Sequence, residues 1–207
     1  AAGKQNDVPI LIGYTRDEGF EAFNQAMTLA DYRTQAERWG EHSAELLRMY
    51  PASTDADARR AALDIARDAT LGLQMRTWAR AQTSSGKAPA YMYLFSRVHP
   101  YAPGLKFSDH ETSTIGAYHT GDVPYWLQTL DSLNLFRTTR NWTAYDRELA
   151  TRMSDVIVSF ARTGKPSSSG TDWPAYRKAD ERVVELGDSI RVMPLPNSSK
   201  IDFLSAH

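Results

Sequence analysis

Two side chains of this sequence are of types that could work together chemically. Glu18 lies in Asp17-Glu18-Gly19, just beyond an apolar run, and His119 follows Gly116-Ala117-Tyr118, 101 residues further on. A carboxylate bonded to one imidazole nitrogen holds the ring's tautomer and stabilises its charged form. The other nitrogen can then accept a proton from a hydroxyl nucleophile. On the residues alone, Glu18 reads more readily as a first-turn acid that caps a following helix and complements its dipole. His119 would by the same standard be a hydrogen-bonded or surface loop histidine. Of the remaining histidines, His42 falls in a helical stretch, His99 precedes Pro100 and His207 is the last residue, so these three read as structural or solvated.

Other local patterns fall short of a site. His110-Glu111 begins like the zinc motif His-Glu-x-x-His, but the second ligand position is Thr114, so no metal site is expected. Gly187-Asp188-Ser189 is better explained as a turn between short strands, and Ser84-Ser85-Gly86-Lys87 matches Ser-x-x-Lys without the partner motifs that would support it. Asn141-Trp142-Thr143 and Asn197-Ser198-Ser199 fit the glycosylation pattern, but 18 arginines against 6 lysines point to a bacterial source and discount them.

Composition narrows the classes. The 24 basic and 25 acidic residues leave a net charge of -1 with no long single-sign run, which argues against nucleic acid as a partner. There is no cysteine, which removes disulfides, thiolate metal sites and a thiol nucleophile but leaves the compartment open between oxidising and reducing. No apolar stretch approaches the roughly 20 residues of a membrane span, so a soluble protein is expected. The first residues, Ala1 to Asp7, carry neither a starting methionine nor a signal pattern and read as if the chain begins in mid-protein.

The elements that must position Glu18 and His119 follow from patterning. Val8 to Gly13 reads as a strand buried on both faces of a largely parallel sheet, with site residues at its carboxyl end. A helix is predicted over Asp31 to Met49 with Tyr32, Ala36, Trp39, Leu46 and Leu47 on one face, and a second over Ala56 to Gln82 with Leu63, Ala66, Thr70, Leu73 and Thr77 at helical intervals. Ala90 to Phe95 is a second strand, and the helices between the two require a parallel crossover. Ser96 to Gly121 lacks periodicity and reads as a long functional loop. A helix over Tyr145 to Arg162, with a stripe of Leu149, Met153, Val156, Ile157 and Phe160, ends at Gly164, and short strands follow at Arg182 to Leu186 and Ile190 to Met193.

Taken together, Val8-Pro9-Ile10-Leu11-Ile12-Gly13-Tyr14-Thr15-Arg16-Asp17-Glu18-Gly19, Gly116-Ala117-Tyr118-His119-Thr120-Gly121-Asp122 and Phe160-Ala161-Arg162-Thr163-Gly164-Lys165-Pro166 with Trp173-Pro174 resemble the C-terminal part of type-B carboxylesterases, the cholinesterase-like branch of the α/β-hydrolases. The resemblance implies an α/β fold in which residues 1–207 form the C-terminal part of one catalytic domain, with parallel strands, crossover and lid helices. It implies that Glu18 is the acid and His119 the base of a Ser-Glu-His triad. The order nucleophile, acid, base puts the serine elbow Gly-x-Ser-x-Gly and the oxyanion hole before Ala1, and neither pattern occurs in this chain.

The function so implied is hydrolysis of a carboxylic ester through an acyl-enzyme, with no cofactor and no metal. The partners are a small-molecule ester and an N-terminal segment or chain carrying the serine, so this stretch alone is expected to be inactive. The alternative is an inactive cholinesterase-like binding or adhesion protein. Where the family commonly has a glutamate shortly after the histidine, the nearest acid here is Asp122. Tyr14, Phe20, Phe23, Phe107, Tyr118, Tyr125 and Trp126 are near the two triad residues in sequence and could line a pocket, although each is more often core.

Overall fold

The computed structural model describes residues 4–19, 27–108 and 110–207. Four strands form one sheet in the order β1 (Ile10–Thr15), β2 (Ala90–Phe95), β3 (Arg182–Leu186) and β4 (Ile190–Pro194). The first three are parallel, and β3 and β4 close an antiparallel hairpin over the Gly187-Asp188 turn. The predicted crossover is therefore present: β1 pairs with β2 along its whole length, from Ile10 opposite Ala90 to Thr15 opposite Phe95.

Side chains alternate across β2 as the pleat requires. Tyr91, Tyr93 and Phe95 face a layer built on helix α6 (Ala144–Thr163), whereas Ala90, Met92 and Leu94 face a layer that includes helix α4 (Leu73–Ser85). The sheet is thus covered on both faces. Strand β1 is less enclosed than expected: Ile12, Tyr14 and Thr15 are buried, but Ile10, Leu11 and Gly13 are only half-buried, because β1 is the outer strand among the described residues.

The helical predictions need three corrections. The stretch Asp31 to Met49 is two helices, α1 (Leu29–Glu37) and α2 (Ser43–Met49), parted by Gly40 at φ +57, a left-handed conformation that interrupts the helix. Its expected face nonetheless holds, with Tyr32, Ala36 and Leu46 buried and Trp39 and Leu47 packed against them. The stretch Ala56 to Gln82 is α3 (Asp55–Arg67) and α4 joined by one π turn over Asp68–Gly72. Such a turn rotates the following face, and the buried positions are Ala58, Ala61, Arg67, Asp68, Gly72, Arg76, Ala79 and Gln82; Thr77 is exposed. On α6, Leu149, Met153 and Val156 are buried as expected, but Ile157 is 39% exposed and falls outside the stripe.

Three helices begin with the same device. Thr28, Thr54 and Thr143 each accept a hydrogen bond from the main chain of an aspartate three residues on, whose carboxylate reaches back to the threonine's own N–H. Two further helices carry weak sequence signals: the short α5 (Val123–Trp126), and α7 (Ser198–Ala206), which buries Ile201, Phe203 and Leu204. No helix among the described residues is long and apolar enough to cross a membrane.

Arg76 ties these layers together. Its guanidinium donates to both oxygens of Glu181 at 2.9 and 2.8 Å and to Asp202 of α7 at 2.6 Å, and Tyr176 and Arg80 also donate to Glu181. Burial alone would raise the Glu181 carboxyl, but these donors outweigh it and hold the group down at about 2. Because the folded value is depressed, the stabilisation is complete above the ordinary carboxylate value and is lost as pH falls from there toward about 2. Acid unfolding should therefore shift to higher pH in Arg76→Met, and Glu181→Gln should flatten the stability-versus-pH curve in that window. Urea unfolding of Arg76→Ala at neutral pH should show a clear loss, below the roughly 3–5 kcal/mol of a fully stranded buried charge because Arg80 and Tyr176 still donate to Glu181.

Candidate active site

Glu18 and His119 meet at the carboxyl edge of β1. Glu18 is 5% exposed and accepts two hydrogen bonds, one on Oε1 from the N–H of Thr15 at 2.9 Å and one on Oε2 from Nδ1 of His119 at 2.6 Å. With the carboxylate ionised, Nδ1 carries the proton and Nε2 of the neutral ring is a proton acceptor. The His119 side chain is 44% exposed, so the ring is half in solvent while its partner is enclosed. The competing reading of Glu18 as a cap for the next helix concerns residues 20–26, which lie outside the described residues.

The adjacent Asp17 forms the junction between the two segments. Its main-chain N–H donates to Ala117 O at 3.1 Å, and its Oδ2 accepts from Ala117 N–H at 2.7 Å, so side chain and backbone grip the same residue. Oδ1 accepts from Nη1 of Arg60 on α3 at 2.5 Å, and Arg16 donates to Oδ2. Burial would raise the Asp17 carboxyl, but the Arg60 and Arg16 cations and these hydrogen bonds outweigh it and keep the group below the usual carboxylate range. Arg67, also buried, donates to Arg16 O at 2.9 Å and pairs with Asp64 and Asp68. Helix α3 thus clamps the backbone that carries Glu18.

This grip explains the glycine in Gly116-Ala117-Tyr118-His119. Gly116 has φ +65, and a Cβ there would collide with the Asp17 carboxylate. Downstream, Asp122 supports the loop, accepting on Oδ2 from the Tyr93 hydroxyl and from Trp126 Nε1, both at 3.0 Å. The mutual spacing of these anchors fixes the histidine segment on both sides.

The sequence did not single out Asp17, Arg60 or Tyr93 for these roles. No local sequence signal marked the contact of Asp17 with Ala117, 100 positions away, because only folding brings the two together. Among the pocket candidates, Tyr14 and Tyr125 are core residues at 3% and 0% exposure. Phe20 and Phe23 lie outside the described residues. Phe107 stacks on His110 with ring centroids 4.4 Å apart, and His42 stacks on His207 at 3.6 Å.

A mostly parallel sheet with helices on both faces, carrying an acid and a histidine on loops beyond its strand ends, is part of an α/β-hydrolase fold. The chain belongs to the carboxylesterase family, whose profile matches residues 1–204. It is 27% identical to para-nitrobenzyl esterase of Bacillus subtilis (strain 168) over 205 residues, 97% of this chain and 38% of that protein. It is 29% identical to fumonisin B1 esterase of Sphingopyxis macrogoltabida over 200 residues, 92% of this chain and 34% of that protein. Among solved structures, a thermophilic PNB esterase superposes with a TM-score of 0.69 at 27% identity, over 95% of this chain and 38% of the other. The chain therefore spans a little over a third of the length of these relatives.

The steric account of Gly116 can be checked against a second glycine. Gly104 also has positive φ, +75, but faces open space. Gly116→Ala should destabilise the protein by more than Gly104→Ala, with about 1–3 kcal/mol from strain added to the conformational cost both share. Parallel urea titrations of the two variants would decide it; equal losses would remove the argument for the Asp17 contact.

Proposed function

We propose that this chain supplies the acid and base of a Ser-Glu-His triad in a carboxylic-ester hydrolase. The observation that carries the reading is the 2.6 Å hydrogen bond between His119 Nδ1 and the buried Glu18 carboxylate. Membership of the carboxylesterase family and the esterase names of the relatives support it. The serine is assigned to a segment preceding this stretch, or to another chain, because the family order is nucleophile, acid, base. On this reading residues 1–207 are the C-terminal part of one catalytic domain.

In the reaction, Nε2 of His119 takes the serine hydroxyl proton as the oxygen attacks the ester carbonyl. The imidazolium so formed is stabilised by Glu18 across the Nδ1 hydrogen bond. The tetrahedral intermediate collapses, the carbonyl–alkoxy bond breaks, and the imidazolium returns its proton to the departing alcohol. Water then repeats the sequence on the acyl-enzyme, releasing the acid and restoring the serine. An inactive adhesion protein of the same fold has no chemical use for this dyad, so the enzyme reading is preferred.

Intact-mass measurement under denaturing conditions, combined with a serine-reactive fluorophosphonate probe, tests the assignment of the nucleophile. The label is expected on sequence outside residues 1–207, and the isolated 23.2 kDa chain should neither take it up nor hydrolyse an aryl ester. In the whole enzyme, His119→Ala should lower kcat by about 10⁴-fold or more, and Glu18→Gln by roughly 10³- to 10⁴-fold through loss of the productive tautomer. Wild-type turnover by His119→Ala would sink the assignment.

A further inference from the structure

His99 read from sequence as an ordinary structural or solvated histidine. It is 2% exposed, and both of its ring nitrogens are engaged. Nε2 lies 2.7 Å from Gly121 O, an atom that can only accept, so Nε2 carries the proton. Nδ1 lies 3.2 Å from the Tyr118 hydroxyl, which must then donate to it. The tyrosine oxygen in turn accepts from Arg140 Nη2 at 3.3 Å. The result is one directed chain of hydrogen bonds from Arg140 through Tyr118 and His99 to the Gly121 carbonyl.

Two links of that chain, Tyr118 and Gly121, fall on the turn that carries His119. Gly121 N–H donates to Tyr118 O at 2.8 Å, closing a tight turn with His119 and Thr120 at its centre. Thr120 has φ +66, a conformation that a β-branched residue adopts only under constraint, at a cost of about 1–3 kcal/mol. Something outside the turn has to hold it closed, and His99 bridges the residue before His119 to the residue two after it. The bridge is itself rigid, because the His99 ring lies among those of Tyr118, Trp142 and Tyr125 at centroid distances of 5.0, 5.2 and 5.7 Å. Burial pushes the His99 imidazole down to about 4, so its one proton stays on Nε2 at neutral pH.

We infer that His99 is a positioning residue for His119: by donating to Gly121 O and accepting from Tyr118 it locks the strained turn that aims the His119 ring at Glu18. The inference rests on the reading of His119 as the base and deepens it. His99 does not touch the reacting atoms. Its contribution is to keep the imidazole from swinging out of line, where displacements of about 1 Å can cost roughly 100-fold in rate.

The test is made in the whole enzyme with two readouts: steady-state kinetics on an aryl ester, and the low-field proton resonance of the His119 Nδ1–H bonded to Glu18, assigned by its loss in His119→Ala. His99→Phe keeps a ring in the pocket and removes both hydrogen bonds. It should lower kcat about 10- to 100-fold with KM changed little, and should broaden or abolish the resonance. His99→Gln can still donate to Gly121 O and should recover part of the kcat and the resonance. If His99→Phe does not fold, Tyr118→Phe, which removes only the hydroxyl, should lower kcat and weaken the resonance in the same direction. A wild-type kcat and an unchanged resonance in a folded His99→Phe, or in Tyr118→Phe, would overturn the brace. Full turnover by His119→Ala would instead overturn the base assignment, and the brace would then be decided by the resonance alone.

Discussion

Parallel pairing of Ile10–Thr15 with Ala90–Phe95 brings the carboxyl ends of two distant strands to one edge of the sheet. Everything at the candidate site hangs from that register. The chain leaves β1 directly into Arg16-Asp17-Glu18 and leaves β2 into the loop that returns at Gly116, so the acid and the histidine start from adjacent points although 101 residues separate them. An antiparallel pair would have put the two exits at opposite ends, out of reach of a 2.6 Å hydrogen bond.

The register brings the segments near each other, and buried polar groups then fix them. Asp17 and Arg67 are nearly inaccessible, and each is paired on more than one side. Such groups are costly to bury and contribute little net stability over an apolar core. Their effect here is geometric. Asp17 accepts hydrogen bonds only from donors in particular directions, and those donors belong to Ala117, Arg60 and Arg16, which come from three separate stretches of chain. An apolar contact in the same place would tolerate sliding; this one does not. The half-exposed His119 ring is thereby mounted on a framework that is itself enclosed.

The division between what was readable in sequence and what was not follows interaction range. The two strands, the crossover, the hairpin at Gly187-Asp188 and the helix ending at Gly164 were legible because local periodicity and turn chemistry specify them. The break at Gly40 and the π turn at Asp68–Gly72 were not, because a continuous apolar pattern is compatible with an unbroken helix and only the packing of α1, α2 and α3 against α7 selects the bend. Ile157 satisfied the stripe by spacing and yet is 39% exposed, whereas Leu149, Met153 and Val156 pack in the core with Tyr91, Phe95 and Val184.

By itself the sequence determined the identities of the chemical groups: a carboxyl at Glu18, an imidazole at His119, a glycine at 116 and no thiol anywhere. It also determined, through strand and helix patterning, that Glu18 follows a strand end. The resemblance already named Glu18 as the histidine's partner, but only tertiary structure gave the adjacent Asp17 its grip on the histidine's loop. Successive residues leaving a strand project in opposite directions, so Asp17 and Glu18 diverge toward Ala117 and His119 respectively. It also turned His99 from one more loop histidine into a buried link between Tyr118 and Gly121, because hydrogen bonds between residues about 20 positions apart leave no periodic trace in the chain that makes them.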